Sequence, residues 1–243
     1  LFVFSFGEEG LGDLRGVKHL FRKDGPRIDS WIAIDGGAIG RVNNKGLGSY
    51  RYRVTFKGPG GHSWGAFGLA NPHHALGEAI SNFVKVANEY TNEGPKTSYN
   101  VGVVSGGTSI NSIPFESIMQ IDIRSVDPKR LDAMETLLET AVQRALDHQN
   151  NMKRHGPDLS VVIDKIGNRP SGELSDQLPL VQRTLAATTA FGTEPYLTRG
   201  STNSNIPIAK GIPAVTIGSG GDGGKAHSLD EWWINKEGHK AIQ

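Results

Sequence analysis

Apolar and polar residues alternate along the first 35 positions in the pattern of a strand, a helix and a second strand. A short apolar run over 1–6 ends at Gly7, which predicts a strand buried on both faces. Apolar residues then recur at helical spacing over 11–21. A second apolar strand follows over 31–34 and ends at Asp35. This order predicts a parallel α/β sheet, with ligands beyond the carboxyl ends of its strands.

From about Gly46 the pattern becomes that of an α+β segment. Polar and apolar residues alternate over 49–56, as in a half-exposed strand. An Asp127-Pro128 pair marks the start of the second of two amphipathic helices. The β-α-β-β-α-β order predicts a ferredoxin-like sandwich with both helices on one face of one sheet. The remaining predicted ranges are 72–90 and 128–149 for helices and 98–105, 116–125 and 159–166 for strands.

The α/β pattern returns after about Pro170, with a helix predicted over 178–191 and strands over 196–198 and 214–217. The fold class predicted is therefore α/β, with a mostly parallel sheet and an inserted α+β lid. The predicted boundaries are 1–46 with 169–243 for the α/β domain and 47–168 for the lid.

The ends of the chain cut across predicted elements. The first strand begins at Leu1 with no Met and no preceding element, and the last helical pattern runs to Gln243. We therefore expect the N-terminal part of the α/β domain to lie upstream of this chain. A signal peptide cannot be judged without that segment.

The composition is that of an ordinary globular protein and excludes several functions. Of the 243 residues, 37% are hydrophobic and 21% are charged, and the formal net charge is +1. A net charge this close to zero does not indicate a binding surface for nucleic acid. No apolar stretch approaches the roughly 20 residues that are needed to cross a membrane. Without Cys, any metal must be held by imidazole and carboxylate, which suits zinc, manganese or cobalt. The absence of Cys also favours a cytoplasmic location.

Acidic residues follow the predicted strand ends of the α/β domain. Glu8 and Glu9 come after the first strand and Asp35 after the second, while His227 follows a Gly-rich loop. Neighbouring carboxylates in a shielded site repel, so one is expected to bind a metal or to have a raised pKa. A two-metal hydrolase needs both carboxylate ligands and a base for its water. A helix cap at Glu8-Glu9 and a turn at Asp35 are the alternative interpretations.

Further polar loops carry candidate binding residues. His62 lies in a Gly-Pro-Gly-Gly-His-Ser loop of the lid, which fits either a functional loop or a hairpin. Arg199 precedes small hydrogen-bond donors, a combination that suits a carboxylate or a surface loop. The glycines over 218–224 could cradle a phosphate, but the Lys-Ser/Thr ending of a phosphate-binding loop does not follow them.

The order of these motifs resembles one family, the co-catalytic zinc exopeptidases and deacylases. This family includes peptidase T, carboxypeptidase G, acetylornithine deacetylase and aminoacylase, and the segment 200–218 with the Ala-His-Ser-Leu-Asp-Glu-Trp that follows is most similar to peptidase T-like members. The resemblance covers essentially the whole chain. The motifs that carry it are Gly-Glu-Glu-Gly at 7–10, Asp-Gly-Gly at 35–37, Gly-Pro-Gly-Gly-His-Ser at 58–63, the loop 107–111, Asp-Ile-Arg at 122–124 and Ala-His-Ser at 226–228.

The resemblance implies a role for each matching residue. Glu8 would be the general base that acts on a metal-bridging water. Glu9 and His227 would ligate one zinc, and Asp35 would ligate the other. His62 would reach across a homodimer and polarise the scissile carbonyl in the partner subunit. Substrate contacts are implied for Asn111, Arg199, Gly200, Ser201 and Asn203.

The implied protein is a homodimer, joined through the lid, that binds two Zn²⁺ per full-length subunit, with Co²⁺ or Mn²⁺ as alternatives. It would hydrolyse the amide bond of a small peptide, or act as a deacylase on an N-acyl amino acid. The family's His-x-Asp motif and its metal-bridging Asp should precede Glu8 and are not in this chain. An inactive fragment that serves only as a dimerisation module is therefore the alternative function. Asn203 also departs from the family, whose members commonly carry Asp there.

Overall fold

The computed structural model describes residues 2–226 and 228–243. The chain divides into two compact units, Leu1–Gly48 with Arg169–Gln243 (the first unit) and Ser49–Asn168 (the second unit). The strands are β1 Trp31–Asp35, β2 Arg41–Gly46, β3 Gly48–Lys57, β4 Gly61–His62, β5 Thr97–Gly106, β6 Ser112–Ile113, β7 Glu116–Ser125, β8 Ser160–Arg169, β9 Gly172–Glu173, β10 Tyr196–Gly200, β11 Ala214–Gly218, β12 Asp222–Gly224 and β13 Trp232–Ile234. The helices are α1 Arg15–Leu20, α2 Pro72–Thr91, α3 Pro128–Met152, α4 Pro179–Ala190, α5 Asn205–Ala209 and α6 His239–Ile242, with a 3-10 turn at Gly10–Gly12.

The main sheet of the first unit is mixed. Its strand order is β1-β11-β2-β10, and β9 also pairs with β2. The β1–β11 and β2–β10 pairs are parallel, whereas β2 runs antiparallel to β11 and β9. For β2 to run parallel to β1, the connection between them would need a dozen or more residues. The loop between β1 and β2 covers only 36–40, so β2 runs in the opposite direction to β1.

The predicted buried strand over 1–6 is wrong. Residues 2–7 form no strand, and the side chains of Phe2 and Phe4 are 97% and 99% exposed. A strand that is buried on both faces needs hydrogen-bonded neighbours and apolar layers above and below it. None of the strands in 2–226 and 228–243 pairs with this segment.

The helix predicted over 11–21 is interrupted. Asp13 and Leu14 adopt left-handed backbone conformations, with φ of 50° and 60°, which separate the 3-10 turn from α1. Such values are unfavourable for residues with a Cβ and break the helical hydrogen-bond pattern. The apolar face survives the break, because Leu14 and Val17 are fully buried and pack with Phe21.

The second unit forms the predicted ferredoxin-like sandwich. Its sheet has the order β5-β7-β3-β8, and β5 runs antiparallel to β7. Burial alternates along β7, so that Met119, Ile121 and Ile123 enter the core while the residues between them are half-buried. The core contains the apolar faces of both long helices, as helical periodicity predicts.

Both long helices begin as their sequences predict. The side chains of Asn71 and Asp127 accept hydrogen bonds from the backbone N–H groups of His73 and Lys129, each at 2.9 Å. A proline occupies the start of α2 and of α3, where no helical hydrogen bond is lost. Each helix in the described residues is too short or too polar to cross a membrane.

A half-buried ion-pair cluster makes the stability of the second unit depend on pH. Asp122 accepts hydrogen bonds from Arg51 Nε at 2.9 Å and Arg124 Nε at 2.6 Å. Burial acts to raise the pKa of Asp122, but the hydrogen bonds and charges of Arg124 and Arg51 outweigh it and hold the pKa below its ordinary value. The stabilisation is therefore present at neutral pH and is lost as the pH falls through the folded-state pKa.

We expect Asp122→Asn to lower the free energy of unfolding by about 1–3 kcal/mol at neutral pH, because two arginines lose their charged acceptor. Urea unfolding at neutral pH and again below the ordinary carboxylate pKa, with Asp164→Asn as an exposed control, measures this difference. A difference that did not shrink in acid would contradict the role assigned to Asp122.

Candidate functional site

The two glutamates lie on a tight turn rather than at a capped helix. Gly7 has φ of +65°, and Glu8 follows it in a half-buried position. Glu9 is exposed and occupies the N-cap of the 3-10 turn, where its side chain makes no capping hydrogen bond. The α1 helix begins only at Arg15. The helix-cap interpretation of the pair is therefore not supported by the contacts of these side chains.

Arg169 holds Glu8 in place. Its Nη1 donates to Glu8 Oε1 at 3.2 Å, and its Nη2 donates to the backbone carbonyl of Glu8 at 2.5 Å. Nη1 also donates to Ser201 Oγ at 3.2 Å. Arg169 is not predicted as a site residue from the sequence, because no motif marks it beyond its place before a proline at a strand end.

The electrostatic surroundings of Glu8 bring three carboxylates into one neighbourhood. Burial raises the pKa of the Glu8 carboxyl above its ordinary value, the charge and hydrogen bond of Arg169 oppose this shift, and the charges of Glu9 and Asp35 add to it. A raised pKa is the property expected of a group that must accept a proton near neutral pH.

Asp35 ends β1 at the edge of the sheet where β11 also ends. It pairs in register with Gly218, because the two strands are parallel. Its Oδ1 accepts the backbone N–H of Gly36 at 2.7 Å, and its carbonyl accepts that of Ser219 at 2.9 Å. Asp35 thus takes part in a turn and also lies at the strand-end position from which side chains reach ligands.

The described residues fit a metal site only in part. Glu8, Glu9 and Asp35 supply carboxylate oxygens, and a divalent cation would relieve their mutual repulsion. Within 2–226 and 228–243, however, no group of three or more His, Asp or Glu residues is arranged to hold a metal. The predicted ligand His227 lies outside the described residues.

The second unit brings His62 and Asn111 together through a pair of short antiparallel strands that are far apart in the sequence. Strands β4 and β6 pair His62 with Ser112, and the carbonyl of Asn111 accepts the backbone N–H of Ser63 at 2.9 Å. His62 Nδ1 accepts backbone N–H groups from Trp64 at 3.2 Å and from Gly65 at 3.3 Å. A neutral ring in this position therefore carries its proton on Nε2, which can donate to another group.

Arg199 is engaged with neighbouring segments of the first unit. Its Nη1 donates to the carbonyls of Gly46 at 2.9 Å and Gly172 at 3.3 Å, and its Nη2 donates to Glu173 at 2.7 Å. Arg199 and Lys45 lower the pKa of Glu173, Lys45 more strongly through its hydrogen bond. A substrate carboxylate at Arg199 would have to compete with Glu173 for the guanidinium group.

The loop after Arg199 is closely packed. A side chain at Gly200 would collide with the end of the Asn43 side chain, so a larger residue there would force Asn43 to move. Ser201 contacts Arg169, and Asn203 Oδ1 is buried without a hydrogen-bond partner among the described residues. Of the predicted site residues in the first unit, Ser201 is joined to Glu8 through Arg169, and the charges of Glu9 and Asp35 act on Glu8, whereas the guanidinium of Arg199 is bound to other groups.

Comparison with known families identifies the central part of the chain. Residues 43–150 match the family described as the peptidase dimerisation domain of the M20 group. This match begins on β2 and ends within α3, so it covers most of the second unit. No curated protein sequence matches the chain significantly.

Solved structures share the fold of nearly the whole chain. A tripeptidase from Staphylococcus aureus matches with a TM-score of 0.71 and 18% identity over 95% of this chain and 58% of that protein. Aminopeptidase PepT from Bacillus cereus matches with a TM-score of 0.69 and 18% identity, over 95% of this chain and 58% of that protein. A hydantoinase/carbamoylase family amidase from Burkholderia vietnamiensis matches with a TM-score of 0.64 and 17% identity, over 90% of this chain and 54% of that protein.

The chain spans somewhat more than half the length of these solved structures, and at such low identity they establish the fold. They confirm the predicted α/β fold with its inserted α+β segment. The resemblance to the exopeptidase and deacylase family is confirmed as well, because residues 43–150 match the M20 peptidase dimerisation domain and the solved peptidases share the fold of this chain.

Proposed function

We propose that the protein is a metal-dependent hydrolase that cleaves the amide bond of a small peptide or an N-acyl amino acid. The observation that carries this proposal is Glu8, which is half-buried, is held by Arg169 and has a pKa raised by burial and by the charges of Glu9 and Asp35. The M20 peptidase dimerisation domain supports the same class of reaction.

Glu8 is the proposed general base. It would accept a proton from the attacking water and deliver that proton to the leaving amine nitrogen. Glu9 and His227 would hold one zinc and Asp35 a second one, with Co²⁺ or Mn²⁺ as substitutes. When bound, such ions lower the pKa of water and polarise the scissile carbonyl.

His62 is the proposed hydrogen-bond donor to the scissile carbonyl oxygen. Its Nδ1 is occupied by two backbone N–H groups, so the donor is Nε2. We propose that it acts on the substrate of the partner in a homodimer formed through the dimerisation domain. Asn111 and the loop of Arg199, Gly200, Ser201 and Asn203 would contact the substrate.

Metal removal and return test this function. The full-length gene product, stripped with a chelator, is expected to lose hydrolysis of short peptides or N-acyl amino acids and to regain it with Zn²⁺, Co²⁺ or Mn²⁺. Comparing tripeptides with N-acetyl amino acids separates a peptidase from a deacylase. Failure to hydrolyse either class with any of these metals would overturn the proposal.

A second candidate function applies to the 243 residues alone. It is a folded dimerisation module without catalysis, favoured by the lack of a three-ligand metal group among the described residues. Under this alternative the isolated chain sediments as a dimer in sedimentation velocity but binds less than one zinc per subunit. Stoichiometric binding of two zincs by the isolated chain would exclude it.

A further inference from the structure

We propose that Arg169 is a positioning residue that fixes the carboxylate of Glu8 in the orientation needed for proton transfer. The inference rests on the proposed function, because it assigns a working geometry to the base of that reaction. It concerns residues of the first unit only.

Arg169 binds Glu8 at two points of the same residue. Nη1 contacts the side-chain oxygen Oε1, and Nη2 contacts the backbone carbonyl oxygen. A planar guanidinium that binds both the side-chain oxygen and the backbone oxygen of one residue holds these two atoms at a fixed separation. This restricts the side-chain torsion angles of Glu8. The contact also occupies Oε1, which leaves Oε2 to accept the proton of the attacking water.

The burial of Arg169 makes this contact rigid. Arg169 is only 5% exposed although it carries a permanent charge. A buried charge destabilises the folded state unless anions and hydrogen bonds compensate it. The nearest anions are Glu8 at 3.2 Å and Asp13 at 3.9 Å, and Asp13 also binds Lys18 at 2.5 Å. Glu8 is therefore the closer counterion of Arg169, and a movement of Glu8 away from it would leave only the more distant Asp13 to compensate the buried charge.

The contact with Ser201 also joins Arg169 to the loop 199–203, which is proposed to contact the substrate. Nη1 of Arg169 reaches both Glu8 Oε1 and Ser201 Oγ at 3.2 Å. One guanidinium thus sets the position of the base relative to a loop proposed to contact substrate. A misplacement of a reacting group by about 1 Å can lower a rate by about 10²-fold.

Variants at position 169 of the full-length, zinc-loaded protein test this role. Lysine keeps the charge but cannot bridge two acceptors as a planar fork does. We expect Arg169→Lys to lower kcat by about 10²-fold with little change in KM, in zinc content or in the thermal midpoint. Arg27→Ala, at an exposed arginine of the same unit, is the matched control.

Chemical rescue separates positioning from a purely structural role. We expect Arg169→Ala to be slow and to regain part of its kcat when guanidinium is added at millimolar concentration. Wild-type kcat in Arg169→Lys would overturn the inference, as would a lowered thermal midpoint with unchanged kcat. If the wild type and Arg27→Ala are themselves inactive with every metal, the proposed function fails instead, so the two failures are distinguishable.

Discussion

Glu8→Gln is expected to lower kcat of the full-length, metal-loaded protein by about 10²–10⁴-fold, because an amide oxygen cannot take the proton of the attacking water. The substitution is nearly isosteric, and the amide oxygen can still accept the hydrogen bond that Arg169 donates. Because glutamine removes the charge of the closer counterion of the buried Arg169, the thermal midpoint should fall, and kcat is compared at a temperature where both proteins are folded. Steady-state kinetics with a chromogenic amide substrate, paired with thermal unfolding, measures both quantities.

Two control variants sharpen this result. Glu194→Gln changes an exposed glutamate of the same unit and should leave kcat unaltered. Glu9→Gln should instead lower the zinc content, since Glu9 is proposed as a ligand rather than a base. Equal turnover in Glu8→Gln and the wild type would remove Glu8 from the mechanism, and zinc loss in Glu8→Gln would make it a ligand.

Local patterns predict most helices and strands of this chain because their causes are local. The Asp127-Pro128 pair determines where α3 begins, through a side-chain cap and a proline that needs no N–H partner. The strand predicted over 116–125 is likewise present as β7 over its full length. Such signals need only a few neighbouring residues.

The wrong predictions depend on partners that a local pattern does not contain. The apolar run over 1–6 indicates a preference for burial, but hydrogen-bonded neighbours decide whether a strand forms, and none pairs with it here among the described residues. Arg169 was missed for a related reason. Its counterion Glu8 lies 161 positions away, so only the folded chain brings the two together. The roles proposed for Glu9, Asp35, His62 and His227 stay predictions.

Phe83→Ala is expected to destabilise the second unit by about 3–5 kcal/mol, the range for removing a large aromatic ring from a core. Phe83 on α2 is fully buried and packs edge-to-face with Tyr99, with ring centroids 5.3 Å apart. It joins the α2 helix to strand β5 in the main core of this unit. Since domains are stable by only about 5–15 kcal/mol, the loss is a large part of the total.

The same substitution tests whether the second unit mediates dimerisation. The peptidase dimerisation domain match covers 43–150 and includes Phe83, so loosening this core should shift the subunits toward monomers. Urea unfolding and sedimentation velocity on one preparation measure both effects. Phe67→Ala, at an exposed aromatic over whose ring the guanidinium of Arg154 lies at 4.7 Å, should lower the free energy of unfolding by only about 1 kcal/mol. A Phe83→Ala protein that unfolds in its second unit yet remains dimeric would place the dimer interface elsewhere.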